Sequence, residues 1–303
     1  MSEAVSELRR GPSILRTIAL TAVAMLAFAA NSLLCRLALQ RQGIDPASFG
    51  SIRLVSGAIT LALVVQLRAR PPSAARADWL AAVMLFAYVA FFSFAYLSLS
   101  AGTGALILFG AVQLTMLGAG LGSGERFGPV AWLGFVLAAG GLVYLVLPGV
   151  AAPPLAGAVL MAVAGVAWGV YSLRGRGVAD PLAATSRNFL RAVPLALALS
   201  VVFVARAHAD ATGIALAVAS GALTSGIGYV VWYAALARLS AMQAATVQLS
   251  VPLLAAFGGV LLLSEAITPR LAAASVAILG GIAIVLSQKS RNARRQVERG
   301  GTR

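Results

Sequence analysis

Ten runs of about twenty mostly apolar residues, each long enough to cross a bilayer as a helix, follow one another along the chain. They fall at 14–35, 46–67, 79–99, 102–122, 129–147, 155–174, 183–204, 212–236, 241–263 and 269–287. The breaks between them, such as RARPPSAARADW, LPGVAAPP and RGRGVADP, are rich in Pro, Gly and Arg and read as turns rather than domains. Soluble domains carry about 25% charged residues. This chain has 11% charged and 60% hydrophobic residues in 303, so a fold in water would leave too much apolar surface uncovered. The expected class is an all-α integral membrane protein with ten transmembrane helices.

The net charge of +14 then concerns orientation and anionic lipid headgroups. The charges cluster at segment edges without an RNA or DNA motif, so no nucleic-acid partner is expected; the lipid bilayer is. With the N-terminus in the cytoplasm, only Arg36, Arg41, Arg206 and Arg270 fall on the far side. Arg53 and Arg191 fall inside apolar runs, and the rest of the 23 basic residues stay inside. This asymmetry predicts that both termini are cytoplasmic. The run 14–35 is too long for a signal peptide and reads as the first span. The single cysteine, Cys35, lies in an apolar run and reads as a packing residue.

A 140-residue offset runs through the chain. GLGSGERFGP, with Glu125 and Pro129, returns as LLLSEAITP, with Glu265 and Pro269. The same offset relates Ser32 to Ser172, Phe49 to Phe189, Ser100 to Ser240, Gly118 to Gly258, and Gly140-Gly141 to Gly280-Gly281. Each half holds five spans. An odd number makes the second half enter the membrane from the opposite side, giving two inverted-topology five-helix repeats. The predicted organisation is a tail at 1–13, a first repeat at 14–147, a second at 155–287 and a basic tail at 288–303. Two such halves suit alternating access around a site near the midplane.

The stretch PLLAAFGGVLLLSEAITP, followed by a span carrying ILGGIAIVL, resembles the EamA repeat of the drug/metabolite transporter superfamily. AVQLTMLGAGLGSGERFGP followed by LAAGGLVYLVL is a second copy, departing at Val112 where the other half has Pro252. The resemblance covers 14–287 and implies a ten-helix exporter of small metabolites in the bacterial inner membrane. Within that superfamily the chain is similar to the YddG branch of aromatic amino acid exporters.

All nine acidic residues (Glu3, Glu7, Asp45, Asp78, Glu125, Asp180, Asp210, Glu265 and Glu298) fall in tails, loops or helix ends, and the one histidine, His208, lies in RAHADATG. No carboxylate or imidazole is therefore expected at mid-bilayer, where proton relays and sodium sites need one. Facilitated diffusion or exchange is expected, with poor affinity for cations, no metal and no cofactor. The same shortage argues against a lipid-modifying enzyme. Glu125 and Glu265 read as caps of the Pro-started helices that follow them, or as boundary residues, rather than gates. Arg53 and Arg191 read as snorkelling near an interface rather than as contacts for a substrate carboxylate.

Aromatic and uncharged polar residues supply the candidate substrate site. Tyr88, Phe92 and Tyr96 recur on one face of the third span. Trp168, Tyr171 and Ser172 do so on the sixth, matching Phe28, Asn31 and Ser32 on the first. Tyr229 and Trp232 follow Gly228 on the eighth; the ninth offers Gln243, Thr246, Gln248 and Ser250, and the fourth Gln113 and Thr115. An amide in hydrocarbon needs a partner, so Gln113 and Gln248 should face the bundle interior. Pro252, which removes a helical hydrogen bond, and Gly228 are the candidate gating positions. The set suits a neutral or zwitterionic small molecule with an apolar body, aromatic or hydrophobic amino acids above all, with drug efflux as the alternative. The scheme needs no second subunit.

Overall fold

The computed structural model describes residues 2–68, 78–124, 127–239 and 241–300, with 2–13, 241–242 and 289–300 described as backbone only. The helices are α1 (Ser2–Gln40), α2 (Pro46–Gln66), α3 (Trp79–Ala95), α4 (Ala101–Gly122), α5 (Pro129–Val146), α6 (Leu155–Arg174), α7 (Pro181–Val202), α8 (Ala211–Leu236), α9 in two pieces (Ala241–Gln248 and Ser250–Leu263) and α10 (Pro269–Gly300). Eight of them carry a stretch long and apolar enough to cross a membrane. The other two are α3, at 17 residues, and α7, at 22 residues but interrupted by Arg187, Asn188 and Arg191. Among the described residues the only β-pairing is one bridge, Ile44 to Ala209.

Aspartates start four of the helices. Asp45 accepts from the Ala47 and Ser48 N–H groups, Asp78 from Ala81, Asp180 from Ala183 and Asp210 from Gly213. Each satisfies a donor that would otherwise be orphaned at the first turn, where the helix dipole also favours negative charge. Proline opens α2, α5, α7 and α10, at the position where its missing N–H costs nothing. Partial burial pushes the Asp180 carboxyl up, but the Ala183 N–H and the Arg68 guanidinium pull it down further, so it ends below its ordinary 3.8. Asp78 is likewise raised by burial and lowered more by the Ala81 N–H and Arg174, again ending below 3.8.

The packing obeys the inverted repeat. Helix α1 lies along α8 and α9, and α6 lies along α3 and α4; α2 crosses α7, α4 meets α9, and α5 runs beside α10. Replacing each helix by its counterpart in the other half returns the same set of neighbours. Lipid gives no hydrophobic drive for helices to associate, so close approach through small residues has to hold them. A Cβ on Gly134 of α5 would stand 2.6 Å from the Gly281 carbonyl oxygen of α10. One on Gly165 of α6 would stand 2.6 Å from the Leu108 carbonyl oxygen of α4. Large apolar residues such as Leu133, Val136, Leu262 and Val276 are left on the exposed perimeter, where lipid tails cover them.

Two outcomes follow from this packing. Gly165→Ala is expected to lower the melting temperature of the detergent-solubilised protein, as overpacking by ~1–3 kcal/mol would. Gly140→Ala, whose methyl group would meet nothing within 4 Å, is expected to leave it unchanged or slightly raised; equal effects would contradict the close α4–α6 approach. Because Asp78 and Asp180 are held below 3.8, their contribution is complete above that pH and is lost as pH falls through their lower folded values. Melting followed against pH should show this loss only below about 4; a loss from these groups that begins near neutrality would contradict the assignment.

Candidate functional site

A cavity of about 790 Å³ lies between the two halves. It opens at the face that carries Asp78 and the α6–α7 turn, residues 174–178. Its wall is aromatic. Tyr88 and Phe92 of α3 face Trp168 and Tyr171 of α6, with the Tyr88 and Trp168 ring centroids 4.5 Å apart. Trp168 stacks on Tyr229 of α8 at 5.8 Å, and Phe28 of α1 meets Trp232 edge-on at 5.8 Å. Asn31, Ser172, Gln113 and Gln248 add polar atoms to the same wall.

Most residues singled out in the sequence thus share one cavity; Tyr96, Thr115, Gln243, Thr246, Ser250, Gly228 and Pro252 are not on its wall. Tyr96, the C-cap of α3, still donates its N–H to the Phe92 carbonyl at 3.2 Å and keeps the face of Tyr88 and Phe92, but it lies one turn beyond the end of the cavity. The Tyr96 ring is fully buried beyond Phe92, at 4.8 Å, and its hydroxyl donates to the Ala101 carbonyl at 3.3 Å. Gln243 is exposed in the first turn of α9. Gly228 lies behind the wall, where a Cβ would stand 3.3 Å from Ala27 Cβ. Pro252 is buried in the second piece of α9 and breaks the helix at Leu249: it offers no N–H to the Gln248 carbonyl four residues earlier, and its ring crowds that carbonyl.

Polar residues that sequence inspection passed over complete the wall. In α8, Ser220–Ile227 is a π-helical segment, a form frequent at functional sites. Ser220 donates to Asn31 Oδ1 at 2.7 Å; Thr224 Oγ1 lies 3.3 Å from the same oxygen while donating to the Ser220 carbonyl at 2.7 Å, and Asn31 Nδ2 donates to the Tyr88 hydroxyl at 3.3 Å. Arg53 Nη2 donates to the same hydroxyl at 2.9 Å, and Arg53 Nε to Ser225 Oγ at 3.2 Å. The guanidinium carbon lies 5.0 Å from the Phe92 ring centroid and 5.1 Å from that of Tyr88. Arg53 is therefore not snorkelling: it is 3% exposed and lines the cavity. The usable signal was a lone Arg facing a helix with hydroxyls at 220, 224 and 225. Thr185 and Asn188 of α7 also line the wall, and Thr185 bridges the Tyr171 and Tyr233 hydroxyls at 3.3 and 2.7 Å. Arg191 stays near the mouth, 5.9 Å from the Trp79 ring.

The opposite end is closed by an ion pair. Arg36 Nε donates to Glu265 Oε1 at 3.1 Å, and Arg36 Nη1 to the Tyr96 carbonyl at 3.0 Å. The second Glu265 oxygen accepts from the Ala101 N–H at 2.8 Å. Glu265 therefore caps α4 rather than the Pro-started α10, whose first turn is served by Thr268. The left-handed backbone of Ser264, φ 54°, turns the chain there. Glu125 and Ser240 lie outside the described residues. At the mouth, Arg68 pairs with Asp180 and Arg174 with Asp78, at 3.1 and 3.0 Å; these pairs are partly exposed and each holds little energy.

The profile of the EamA-like transporter family matches residues 155–287. The uncharacterized protein PA1977 of Pseudomonas aeruginosa is 56% identical over 281 residues, covering 93% of this chain and 98% of its own. A solved crystal structure superposes with a TM-score of 0.60 over 87% of this chain and 98% of that one, at 21% identity. The last is a likeness of fold.

Cys35, next to Arg36 and fully buried, is a native reporter of the closed end. Glu265→Ala removes the ion pair and the acceptor for the Ala101 N–H together, leaving the Ser100 cap of α4 in place. Labelling of Cys35 by maleimide in membranes is expected to speed up by roughly tenfold, as loss of a charged hydrogen bond of ~1.5 kcal/mol or more would give. An unchanged rate would mean that something else holds this end shut.

Proposed function

We propose, from the premise that the chain belongs to the EamA-like transporter family and is a multi-pass membrane transporter, that it exports small amphipathic metabolites, aromatic or hydrophobic amino acids first among them. The observation that carries this reading is the cavity: about 790 Å³, walled by aromatic rings, open at one face and closed at the other. Pockets for small molecules occupy roughly 300–1,000 Å³ and are mostly apolar with a few placed polar groups. The Tyr88, Trp168, Tyr229 and Trp232 rings offer stacking and edge contacts to an aromatic body. Asn31, Gln113 and Gln248 offer amide partners to its polar end.

The asymmetry of basic residues puts the termini, and with them the open mouth, on the cytoplasmic side of a bacterial inner membrane. An exporter loads from there. The repeats 14–147 and 155–287 are the two halves that exchange conformations. Substrate enters between them, the mouth closes, and separation of Arg36 from Glu265 opens the far side. The break in α9 before Pro252 and the π-helical segment before Gly228 are the places where helices bend with least loss of hydrogen bonding. Among the described residues the one carboxylate on the cavity wall is Asp78, at the mouth and already paired with Arg174. Facilitated diffusion or exchange therefore fits better than proton coupling. Drug efflux by the same route is less well served, because a cationic drug would meet several arginines and no free acid.

In proteoliposomes holding only this protein, labelled tryptophan or phenylalanine is expected to show saturable counterflow that is indifferent to a pH gradient. Trp168→Ala should weaken apparent affinity by roughly five- to thirty-fold, the effect of losing ~1–2 kcal/mol of aromatic contact. Movement of cationic dyes in place of amino acids, or concentrative uptake that collapses with the gradient, would overturn the reading.

A further inference from the structure

We infer that Arg53 is the receptor for a carboxylate on the transported molecule. The substrate class is then apolar or aromatic monocarboxylates, of which amino acids are one subset and deaminated acids another. The inference rests on the cavity being the substrate site, and it narrows the chemistry that site selects.

The fold holds a permanent cation in an unusual state. Arg53 is 3% exposed and sits on the cavity wall. Among the described residues the ion pairs are Arg36–Glu265, Arg68–Asp180 and Arg174–Asp78, none of which includes Arg53. Its Nε and Nη2 are met by the neutral hydroxyls of Ser225 and Tyr88, and its Nη1 has no partner. A guanidinium stays protonated at any physiological pH. Ring faces compensate a buried cation only in part, and a buried charge calls for a counterion or a wet cavity. The hydroxyls on Nε and Nη2 orient the planar fork; Nη1 is unpartnered but has almost no accessible surface in this conformation, so a carboxylate oxygen takes it up as the Tyr88 and Phe92 rings over the guanidinium shift aside.

Among the described residues the rest of the wall offers an ammonium group ring faces and amide oxygens but no free carboxylate. Asp78 stands at the mouth, where it caps α3 and pairs with Arg174. Selection therefore acts on the anionic end, and an amino group is tolerated rather than required. The arginines around the mouth, Arg174, Arg176 and Arg191 among them, set a positive potential that raises the local concentration of anions. Tyr88 is a positioning residue, because its hydroxyl accepts from both Arg53 and Asn31.

The test is binding to the purified full-length protein in nanodiscs, measured by calorimetry with 3-phenylpropionate, phenylalanine, phenethylamine and phenylphosphonate. In the unmodified protein, phenylpropionate should bind at least as tightly as phenylalanine, and phenethylamine at least tenfold more weakly than either. Arg53→Gln should weaken both carboxylates by ten- to a hundredfold and leave phenethylamine unchanged. Arg53→Lys keeps the charge without the fork and should fall between. The order in the unmodified protein tests the inference even if a variant does not fold. Phenethylamine binding as tightly as phenylpropionate, or carboxylate binding unaffected by Arg53→Gln, would overturn it while leaving aromatic transport intact. Phenylphosphonate binding tenfold tighter than phenylpropionate would overturn the carboxylate assignment. Octanoate binding through Arg53 with no aromatic probe bound would instead remove the aromatic reading and keep this inference. Failure of every probe and of octanoate would remove both.

Discussion

A polar group inside hydrocarbon has no water to turn to, so the protein has to supply its partners. Much of this architecture is a response to that constraint. Asp45, Asp78, Asp180 and Asp210 sit at helix starts, where they take up first-turn N–H groups, and Glu265 sits at the closed end. Ser56, Thr60, Ser93, Thr115 and Ser172 each return their hydroxyl to a carbonyl of their own helix four residues earlier. Where the two halves meet, the partners cross between helices instead, and Asn31 ties α1 to both α3 and α8. A cavity walled by such groups is wettable and shaped at once. Arg53 is the one described side chain with a buried nitrogen left open.

The spans and the inverted repeat were legible in the sequence because both are carried by composition and spacing. Apolar runs of the right length can be little else, and the 140-residue offset survives as Gly141 and Gly281 on neighbouring helices α5 and α10. The aromatic wall is legible through helical periodicity, which says which face a ring lies on but not how far the cavity reaches: Tyr96 continues the face of Tyr88 and Phe92 one turn beyond the cavity. The sequence marks Glu265 as a capping residue and points it at its own neighbour α10, whereas the first-turn N–H it meets is that of Ala101 in α4, 164 residues away. Arg53 was misjudged for a related reason. Its distance from the start of α2 invites snorkelling, and only the fold brings Tyr88 and Ser225 to its fork. Partners distant in the chain leave no local trace.

The closed end has its own echo in the sequence. The offset that relates the halves carries Arg36 to Arg176, Glu265 to Glu125 and Ala101 to Ala241. Glu125 lies outside the described residues, so the correspondence is one of sequence. It is nonetheless what two inverted halves require: the charges that shut one face, written again for the other.

Cavity and closed end are joined by one short run of contacts. The Arg53 guanidinium lies over Phe92 at 5.0 Å, Phe92 meets the Tyr96 ring at 4.8 Å, and the Tyr96 carbonyl holds Arg36 at 3.0 Å, which in turn holds Glu265 at 3.1 Å. Proximity alone transmits nothing; a ligand shifts a conformational equilibrium only by binding one state better than the other. On the proposed carboxylate assignment, a bound substrate would supply such a difference only if the surroundings of Arg53 change between the two states. Its first mechanical consequence falls on Phe92 and Tyr88, the rings that share the guanidinium with it. Tyr96 stands directly behind Phe92, and the backbone carbonyl of Tyr96 is one of the three acceptors that keep Arg36 in place beside Glu265. In the proposed reading, Arg53 thus stands two rings, Phe92 and Tyr96, from the Arg36–Glu265 pair.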